Sequence, residues 1–368
     1  MTAPTSVVGE DAAEIAAGLG PLVERLSGST ALVTGATGMV GRYVVEALLA
    51  AGERAAAPVH VLGLARSEAK AATALAGPLA NPNFELVVGD VSEPAAFADR
   101  DVDFIVHAAS PATPAFFRSD PVGVIRANTL GTFAVLESAR RHGAHVSFVS
   151  TMEIYGEIPR ADPGAEVVLT ENDAGIVNSL DLRSAYPESK RLAETLCVAY
   201  AAQHGVRSDI VRLSHTYGPG MATDDARVQA EFIRKALGGE QIVLKSDGSM
   251  TRTYTYIGDA AAAVLQVMVT AADRQEPEAF NVADEASRTS IRELATTVLA
   301  AAGRPEDDLV FDIADAGKQM WSRTSGGTFL DCSRARALGW SARHQLADGV
   351  ARTIAHHRET TTTGRTAE

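Results

Sequence analysis

A tyrosine and a lysine four residues apart are the side chains in this sequence best suited to chemistry. Tyr186 and Lys190 lie in the segment SAYPESK at residues 184–190. Proline is tolerated in the first turn of a helix, so Pro187 predicts a helix that begins there and presents Tyr186 and Lys190 on one face. A tyrosine acts as a base near neutral pH only if its pKa, ordinarily about 10, is lowered. A lysine ammonium one turn away, with a nicotinamide cation nearby, would stabilise the phenolate.

Two further polar side chains follow an apolar strand upstream. Thr151 comes just after the strand predicted at residues 146–149, and Glu153 follows two residues later. The Thr151 hydroxyl could orient a substrate alcohol while Tyr186 takes its proton and a hydride leaves the carbon for a cofactor. A Tyr-x-x-x-Lys pair by itself is more often a surface feature, so this interpretation requires a cofactor site in the same chain.

A glycine-rich turn near the N-terminus supplies that site. Gly35, Gly38 and Gly41 lie between the apolar strand at residues 31–33 and a helix with apolar spacing from Val40. Glycines let a phosphate approach the backbone, and the free N–H groups and dipole of the helix N-terminus attract its charge. A simple turn is the alternative, and the strand and helix on either side disfavour it. The predicted cofactor contacts here are Gly35, Thr37, Gly38, Met39 and Val40.

The alternation of strands and helices predicts an α/β fold with a Rossmann-type, doubly wound parallel sheet. Ligands bind such sheets at the carboxyl ends of the strands, where Thr151 and Glu153 lie. A smaller α+β substrate domain follows from about residue 219. The predicted divisions are an N-terminal extension at 1–28, a cofactor domain at 29–218 with returning segments near 250–285, a substrate domain at 219–345, and a C-terminal helix with a disordered tail at 346–368.

Composition narrows the class of protein. The 368 residues are 46% hydrophobic and 21% charged, as in ordinary globular proteins, and the net charge of −13 argues against a general nucleic-acid surface. No apolar run is long enough to span a bilayer, and the acidic start does not resemble a signal peptide, so a cytoplasmic location is expected. Cys197 and Cys332 form neither a disulfide framework nor a metal cluster, and no metal site is predicted.

The choice between NAD and NADP depends on the end of the second strand, predicted at residues 59–64. An acidic residue there normally accepts hydrogen bonds from the ribose of NAD. Here the strand ends in Ala65-Arg66-Ser67, with no acid. Arg66 could hold a 2′-phosphate, stack on adenine, or be a solvated arginine. NAD is the expected cofactor, with NADP as the alternative.

Taken together, these segments resemble the extended short-chain dehydrogenase/reductase family of nucleotide-sugar epimerases, dehydratases and decarboxylases. The resemblance covers about residues 29–345 and is carried by residues 34–41, 89–91, 107–111, 128–132, 150–156, 186–190, 217–219 and 252–259. It implies that Asp90 binds adenine, that Val91 packs on it, and that Lys190 also holds the nicotinamide ribose. It adds Ala108, Ala109, Ser110 and Asn128 to the cofactor site. It assigns substrate contacts to Ser110, Pro111, Arg183, His215, Arg227, Val228 and Arg252, with Arg252 on the diphosphate. A homodimer through the helices predicted at 119–142 and 184–204 is also implied.

The residue between Thr151 and Glu153 distinguishes the activities of this family. The 4,6-dehydratases resembling this chain have an acid there, whereas Met152 cannot donate a proton. UDP-glucuronate decarboxylases are the most similar in this motif. Three departures concern the sugar or base pocket: His215 replaces an asparagine, Gly220 replaces an arginine, and a late Arg-x-Pro-Asp pattern is reduced to Phe329-Leu330-Asp331.

We therefore predict a redox-neutral enzyme that oxidises C4 of a nucleotide sugar with bound NAD, and decarboxylation of UDP-glucuronate as its reaction. A 4-epimerase is the close alternative, followed by a 4,6-dehydratase or an NADP-dependent reductase. A non-catalytic, cofactor-sensing protein is disfavoured by the intact Thr151, Tyr186 and Lys190.

Overall fold

The computed structural model describes residues 6–159, 162, 165–222, 225–313 and 327–365. Its strands are β1 (Thr30–Thr34), β2 (His60–Ala65), β3 (Phe84–Val88), β4 (Phe104–His107), β5 (His145–Thr151), β6 (Val167–Leu169), β7 (Ser208–Leu213), β8 (His215–Tyr217), β9 (Ile242–Leu244), β10 (Thr251–Tyr256), β11 (Glu278–Val282), β12 (Arg288–Ser290), β13 (Leu309–Phe311) and β14 (Thr328–Leu330). Its α-helices are α1 (Val7–Gly18), α2 (Met39–Gly52), α3 (Glu68–Ala74), α4 (Ala76–Leu79), α5 (Pro114–Ser119), α6 (Pro121–His142), α7 (Ala185–His204), α8 (Val228–Leu237), α9 (Ile257–Ala271), α10 (Ile291–Ala302), α11 (Ser333–Ala337) and α12 (Leu346–Arg365).

A seven-stranded sheet forms the centre of the molecule. Its strand order is β3-β2-β1-β4-β5-β7-β11, and every neighbouring pair is parallel. The order reverses between β1 and β4, which is the switch point at which doubly wound sheets bind ligands. The predicted fold class is confirmed, and the residues near 279–283 return to this sheet as its edge strand β11.

Both faces of the sheet are buried, because neighbouring residues along each strand point to opposite sides. Val33 belongs to a core shared with α2 and α9, which contribute Val44 and Val264. Leu32, one residue earlier, belongs to a second core with Val135 of α6 and Cys197 of α7. The central strands are therefore almost continuously apolar, as the sequence indicated.

Smaller sheets cover the region after β7. Strand β10 pairs in parallel with β8 and antiparallel with β12, and β9 pairs with β13. Helix α10 begins with a capping box in which Ser290 and Glu293 satisfy each other's backbone N–H groups. These elements lie in the region predicted to bind substrate. The domain boundary at residue 218 stays a prediction.

Two local predictions differ from the structure. The stretch 157–183 is polar, rich in Pro, Asp, Glu and Gly, and almost without periodicity, which predicts a long loop. It contains β6, which pairs in parallel with the distant β14. The C-terminal tail is also predicted to be disordered from about residue 355. This prediction is wrong up to Arg365, because α12 continues to that residue. One face of α12 is buried at Ile354 and His356, and the Thr360 hydroxyl donates to the His356 carbonyl at 3.1 Å. Residues 366–368 lie outside the described residues.

Candidate active site

The predicted glycine turn joins β1 to α2. Gly35 has φ +69°, a left-handed conformation that favours glycine, and its carbonyl accepts the Gly38 N–H at 2.8 Å. A Cβ at Gly35 would lie 2.8 Å from the Ala109 Cα, and one at Gly41 would lie 2.2 Å from the Gly35 oxygen. Gly38 caps α2 without a side-chain hydrogen bond. The first N–H groups of this 14-residue helix are thus available to an anion.

The segment after β4 lies directly against this turn. The Ala109 N–H donates to the Thr34 hydroxyl at 3.2 Å, and the same hydroxyl contacts His107 Nδ1 at 2.8 Å. His107 Nε2 contacts the Thr132 hydroxyl at 3.1 Å. Burial, followed by the positive charge of Lys190, lowers the pKa of His107 to about 3, so its imidazole is neutral.

These buried contacts between β1, β4 and α6 were not predicted from the sequence. They hold the backbone of Ala109 beside the glycine turn, and the Ala108 carbonyl lies against Gly35 as well. The Ser110 hydroxyl oxygen is buried and has no hydrogen-bond partner among the described residues. A buried hydroxyl in this state fits a ligand that hydrogen-bonds to it.

Thr151 and Tyr186 meet at the carboxyl end of β5. Thr151 is the last residue of β5, and Tyr186 is the second residue of α7, as Pro187 predicted. Burial raises the pKa of Tyr186 to about 12, while a hydrogen bond with the Thr151 side chain and the positive charge of Arg227 act against this increase. The ring of Phe117 stacks on Tyr186, with centroids 4.7 Å apart and planes 15° apart. No pattern in the sequence predicts this contact.

Lys190 is buried beneath Tyr186 on the same helix. Its ammonium donates to the Val149 carbonyl at 2.7 Å and lies 4.6 Å above the centre of the Phe148 ring. Burial lowers the pKa of Lys190 to about 7. The Thr151 side chain and the charge of Arg227 lower the pKa of Tyr186 against the effect of burial. The predicted stabilisation of the phenolate by Lys190 stays a prediction. The predicted role of Lys190 at the nicotinamide ribose stays a prediction.

Asn128 connects the two long helices next to this pair. Its Nδ2 donates to the Ser189 hydroxyl at 2.9 Å, which in turn donates to the Tyr186 carbonyl at 2.9 Å. Asn128 is fully buried, and its Oδ1 has no partner among the described residues. The hydrogen bonds from Asn128 therefore fix the first turn of α7, which carries the tyrosine.

Glu153 lies on the exposed side of the same site. Its backbone N–H donates to the Thr151 hydroxyl at 3.2 Å, and its carboxylate charge raises the pKa of Tyr186. The side chain is exposed, so it can approach a ligand above Tyr186. Met152, between them, is partly buried against the core of the sheet.

A cationic group faces the site from the region after β7. The Arg252 guanidinium lies 3.4 Å from His215 Nε2, and Arg227 is held by Asp225 at 2.6 Å and by the Thr216 carbonyl at 3.2 Å. Burial, followed by the charges of Arg252 and Arg227, lowers the pKa of His215 to about 3. Asp225 partly neutralises Arg227, whereas the Arg252 guanidinium has no carboxylate partner among the described residues and can bind a phosphate beside the neutral His215.

The other predicted substrate residues make fewer contacts with the rest of the site. Val228 is the first residue of α8, directly after Arg227. Arg183 is exposed in the short 3₁₀ helix before α7, and Pro111 is partly buried in the segment after β4. The structure does not join Arg183 to the cationic group by any hydrogen bond or ion pair among the described residues.

The predicted adenosine end lies at the carboxyl edges of β2 and β3. Asp90 accepts hydrogen bonds from the Ser92 N–H at 2.9 Å and the Ser92 hydroxyl at 2.7 Å. Burial acts to raise the pKa of Asp90, but these bonds and the charges of Arg66 and Arg126 lower it overall. Val91 is buried and packs against α6.

Among the described residues, no group of three His, Cys, Asp or Glu side chains is placed to hold a metal ion. In the same part of the chain, no helix has the length and apolar character needed to cross a membrane.

Comparison with known proteins agrees with this geometry. The model of the NAD dependent epimerase/dehydratase family matches residues 31–283. UDP-glucuronic acid decarboxylase 6 from Arabidopsis thaliana is 34% identical over 324 residues, which cover 87% of this chain and 86% of that relative.

Two solved structures show the same fold. MoeE5, solved in complex with UDP-glucuronic acid and NAD, is 25% identical with a TM-score of 0.69, covering 90% of this chain and 99% of that one. The UDP-glucuronic acid 4-epimerase from Bacillus cereus, solved with NAD, is 22% identical with a TM-score of 0.72 over the same shares. The chain belongs to the NAD-dependent epimerase/dehydratase family and is an enzyme that uses NAD.

Proposed function

We propose that this enzyme is a redox-neutral nucleotide-sugar decarboxylase that acts on UDP-glucuronate. The observation that carries the proposal is the buried Tyr186 phenol beside Thr151, whose side chain lowers the pKa of that phenol, with the exposed Glu153 nearby. The cationic group of His215, Arg227 and Arg252 supports a diphosphate-bearing substrate. The relatives at 32% to 34% identity over 87% of this chain are named UDP-glucuronic acid decarboxylases.

The residues of this chain fit the cofactor. The glycine turn and the first N–H groups of α2 would hold the pyrophosphate, and Asp90 would contact adenine. The unpartnered Ser110 hydroxyl and the backbone at Ala108 and Ala109 would line the nicotinamide end. When bound, NAD supplies a hydride acceptor and donor in one site.

Tyr186 acts as the base in the proposed first step. Its phenolate oxygen takes the proton of the C4 hydroxyl as the C4 hydride leaves, and a C4 ketone results. The Thr151 hydroxyl has one proton, which it can donate to the phenolate and so stabilise it, or to the C4 oxygen and so orient the alcohol. The contacts of Arg252 and Arg227 with the diphosphate hold the sugar close to Tyr186. The proton transfer then occurs within one complex and does not depend on a chance collision of the two groups.

The carboxylate at C5 is lost in the second step. The substrate is then a β-keto acid, so the bond from C5 to the carboxyl carbon breaks, carbon dioxide leaves, and the electron pair moves into the C4 enolate. We assign to Glu153 the positioning of C5 or its reprotonation, because the carboxyl side chain lies on the open side of Tyr186. Return of the hydride to C4, with the proton returned from Tyr186, completes a cycle with no net oxidation.

A 4-epimerase is the second candidate function. It uses the same Tyr186 and Thr151 but keeps the carboxylate and returns the hydride to the other face of C4. The structural likeness to a UDP-glucuronic acid 4-epimerase supports the fold only. Met152 disfavours a 4,6-dehydratase, since a thioether cannot protonate a leaving hydroxyl. A net NADP-dependent reductase is the remaining alternative.

One incubation distinguishes these functions. The purified chain is mixed with UDP-glucuronate without added cofactor, and the products are separated and weighed by mass spectrometry. A loss of about 44 mass units indicates decarboxylation, as expected for a β-keto acid intermediate. An unchanged mass with a new retention time indicates epimerisation. Tyr186→Phe should abolish either activity, and full retained activity would contradict the assigned base.

We also propose a homodimer through α6 and α7. These helices pack side by side, and their outer faces expose large apolar side chains, among them Val122, Leu130, Phe133, Leu192 and Val198. An exposed patch of this kind is typical of an interface between protein chains. Phe133→Glu should convert the dimer to a monomer in sedimentation measurements, whereas Leu79→Glu, on the distant α4, should not. A wild-type monomer would refute this proposal. The cytoplasmic location also stays a prediction.

A further inference from the structure

Glu194 continues the line of site residues along α7. It lies one helical turn after Lys190 and two turns after Tyr186, so the three side chains share one face of the helix. All three are buried, and Glu194 is 9% exposed. The proposed reaction uses Tyr186 and Lys190 but leaves this carboxylate without a role. Burial of a carboxylate is costly unless it is paired and hydrogen-bonded, so its partners indicate what it does.

Arg212 of β7 neutralises this carboxylate. Its Nε donates to Glu194 Oε1 at 3.0 Å, and its Nη2 donates to Oε2 at 2.7 Å, which is the two-point geometry typical of strong arginine–carboxylate pairs. Its Nη1 donates to the Tyr155 hydroxyl and to the Glu171 carbonyl, both at 2.9 Å. These hydrogen bonds fix the guanidinium of Arg212, and the guanidinium in turn fixes the carboxylate of Glu194.

The same carboxylate holds the end of β5. The Ser150 hydroxyl donates to Glu194 Oε1 at 2.6 Å, and Ser150 directly precedes Thr151. The Lys190 ammonium donates to the carbonyl of Val149, the residue before Ser150, at 2.7 Å. Glu194 and Lys190 therefore contact neighbouring residues of one strand, just before Thr151.

The Lys190 ammonium needs a counter-charge because it is buried. Its hydrogen-bond acceptor is the Val149 carbonyl, and among the described residues no carboxylate forms an ion pair with it. Burial lowers the pKa of Lys190 to about 7, and the charge of Glu194 is the largest influence in the opposite direction. Two other titratable side chains are coupled to Lys190 and are neutral, because burial lowers the pKa of His107 to about 3 and raises the pKa of Cys197 to about 12. The negative charge that acts on this ammonium is therefore that of Glu194.

We propose that Glu194, fixed by Arg212 and Ser150, is a positioning residue that keeps the ammonium of Lys190 charged beside Tyr186. The inference rests on the proposed reaction, in which a neutral lysine could not stabilise the phenolate of Tyr186. An ion pair with a structural role alone would need only Arg212 and Glu194. The bond from Ser150 and the shared helix face bring the carboxylate to the lysine as well.

The test measures the charge of Lys190 directly by NMR. The sequence contains only five lysines, so carbon-13 labelled lysine in the holoenzyme gives few side-chain signals, and the signal of Lys190 is the one lost in Lys190→Met. Glu194→Gln keeps the shape of the side chain and removes its charge, so the pH midpoint of that signal should be at least about one unit lower than in the wild type. Glu231→Gln removes a more exposed carboxylate that pairs with Lys235 at 2.7 Å, and it should leave the Lys190 midpoint unchanged.

The kinetics of the same variant show whether this charge matters for the reaction. At a pH above both midpoints, a shift of about one unit leaves about tenfold fewer molecules with a charged lysine, so kcat for UDP-glucuronate should be about tenfold lower. KM should change little, because Arg252, the proposed diphosphate contact, lies on β10. Glu194→Asp keeps the charge, so its midpoint and its kcat should lie closer to those of the wild type.

An unchanged Lys190 midpoint in Glu194→Gln, or a lower midpoint with an unchanged kcat, would overturn the inference. Glu194→Gln leaves the buried guanidinium of Arg212 unpaired. If that variant does not fold, Glu194→Gln/Arg212→Met, which removes both charges, is measured in the same way, with the same result expected. A wild-type chain that does not convert UDP-glucuronate would refute the proposed function instead, while the comparison of midpoints still decides the role of Glu194.

Discussion

Replacement of Thr151 by valine tests how the site activates its tyrosine. Valine keeps the shape of threonine but removes the hydroxyl that bonds with Tyr186, at a position that is only 8% exposed. Burial already holds the pKa of Tyr186 at about 12, so the phenolate depends on the few groups that favour it. A hydrogen bond to a charged group contributes about 1.5–3 kcal/mol, and one pKa unit is about 1.36 kcal/mol. The Thr151→Val substitution should therefore raise the pKa of Tyr186 by about one to two units.

The assay is the pH dependence of kcat/KM for turnover of UDP-glucuronate. The activity should rise with pH in both proteins, because the base must be deprotonated, and the midpoint should be higher in Thr151→Val by about one to two units. At a fixed neutral pH this shift gives a roughly ten- to hundredfold lower kcat/KM. Thr151→Ser keeps the hydroxyl and should retain the wild-type midpoint. A valine variant with an unchanged midpoint and a wild-type rate would refute the assigned role of the hydroxyl.

Three further predictions concern binding and stability. Arg252→Ala should raise KM for the nucleotide sugar about tenfold or more with a smaller change in kcat, as loss of a charge-assisted phosphate contact requires; an unchanged KM in steady-state kinetics would contradict it. Asp11→Ala should lower the free energy of unfolding by about 2–4 kcal/mol in urea titrations, because it leaves the buried Tyr43 and Tyr256 hydroxyls without their acceptor, whereas the exposed Glu53→Ala should have little effect. The free energy of unfolding should decrease as the pH falls below about 6.5. In the unfolded chain His107 binds a proton in this range, whereas in the folded protein its pKa of about 3 keeps it neutral. In His107→Gln, urea titrations at several pH values should show a shallower decrease.

The sequence predicted the elements whose causes are local. The glycine turn, the strands predicted at 31–33, 59–64 and 146–149, and the start of α7 next to Pro187 follow from spacing and backbone chemistry, and all are present. The pairing of β6 with β14 could not be predicted, because it joins short segments about 160 residues apart with no signal in either. The stacking of Phe117 on Tyr186 and the contact of Lys190 with the Val149 carbonyl depend on tertiary packing. The four-residue spacing correctly predicts that Lys190 lies on the same face of α7 as Tyr186. It does not predict that the ammonium group points to the Val149 carbonyl.

The N-terminal extension has a structural consequence for the site, although it lies outside the part that matches the family model. Asp11 of α1 is 1% exposed and accepts hydrogen bonds from Tyr43 of α2 at 2.8 Å, Tyr256 of β10 at 2.5 Å and Arg352 of α12 at 2.7 Å. Helix α2 begins at the turn proposed to bind the cofactor, and β10 carries Arg252, the proposed diphosphate contact. One buried carboxylate therefore links the elements that carry the two proposed parts of the site, and a shift between these elements would leave it without its partners.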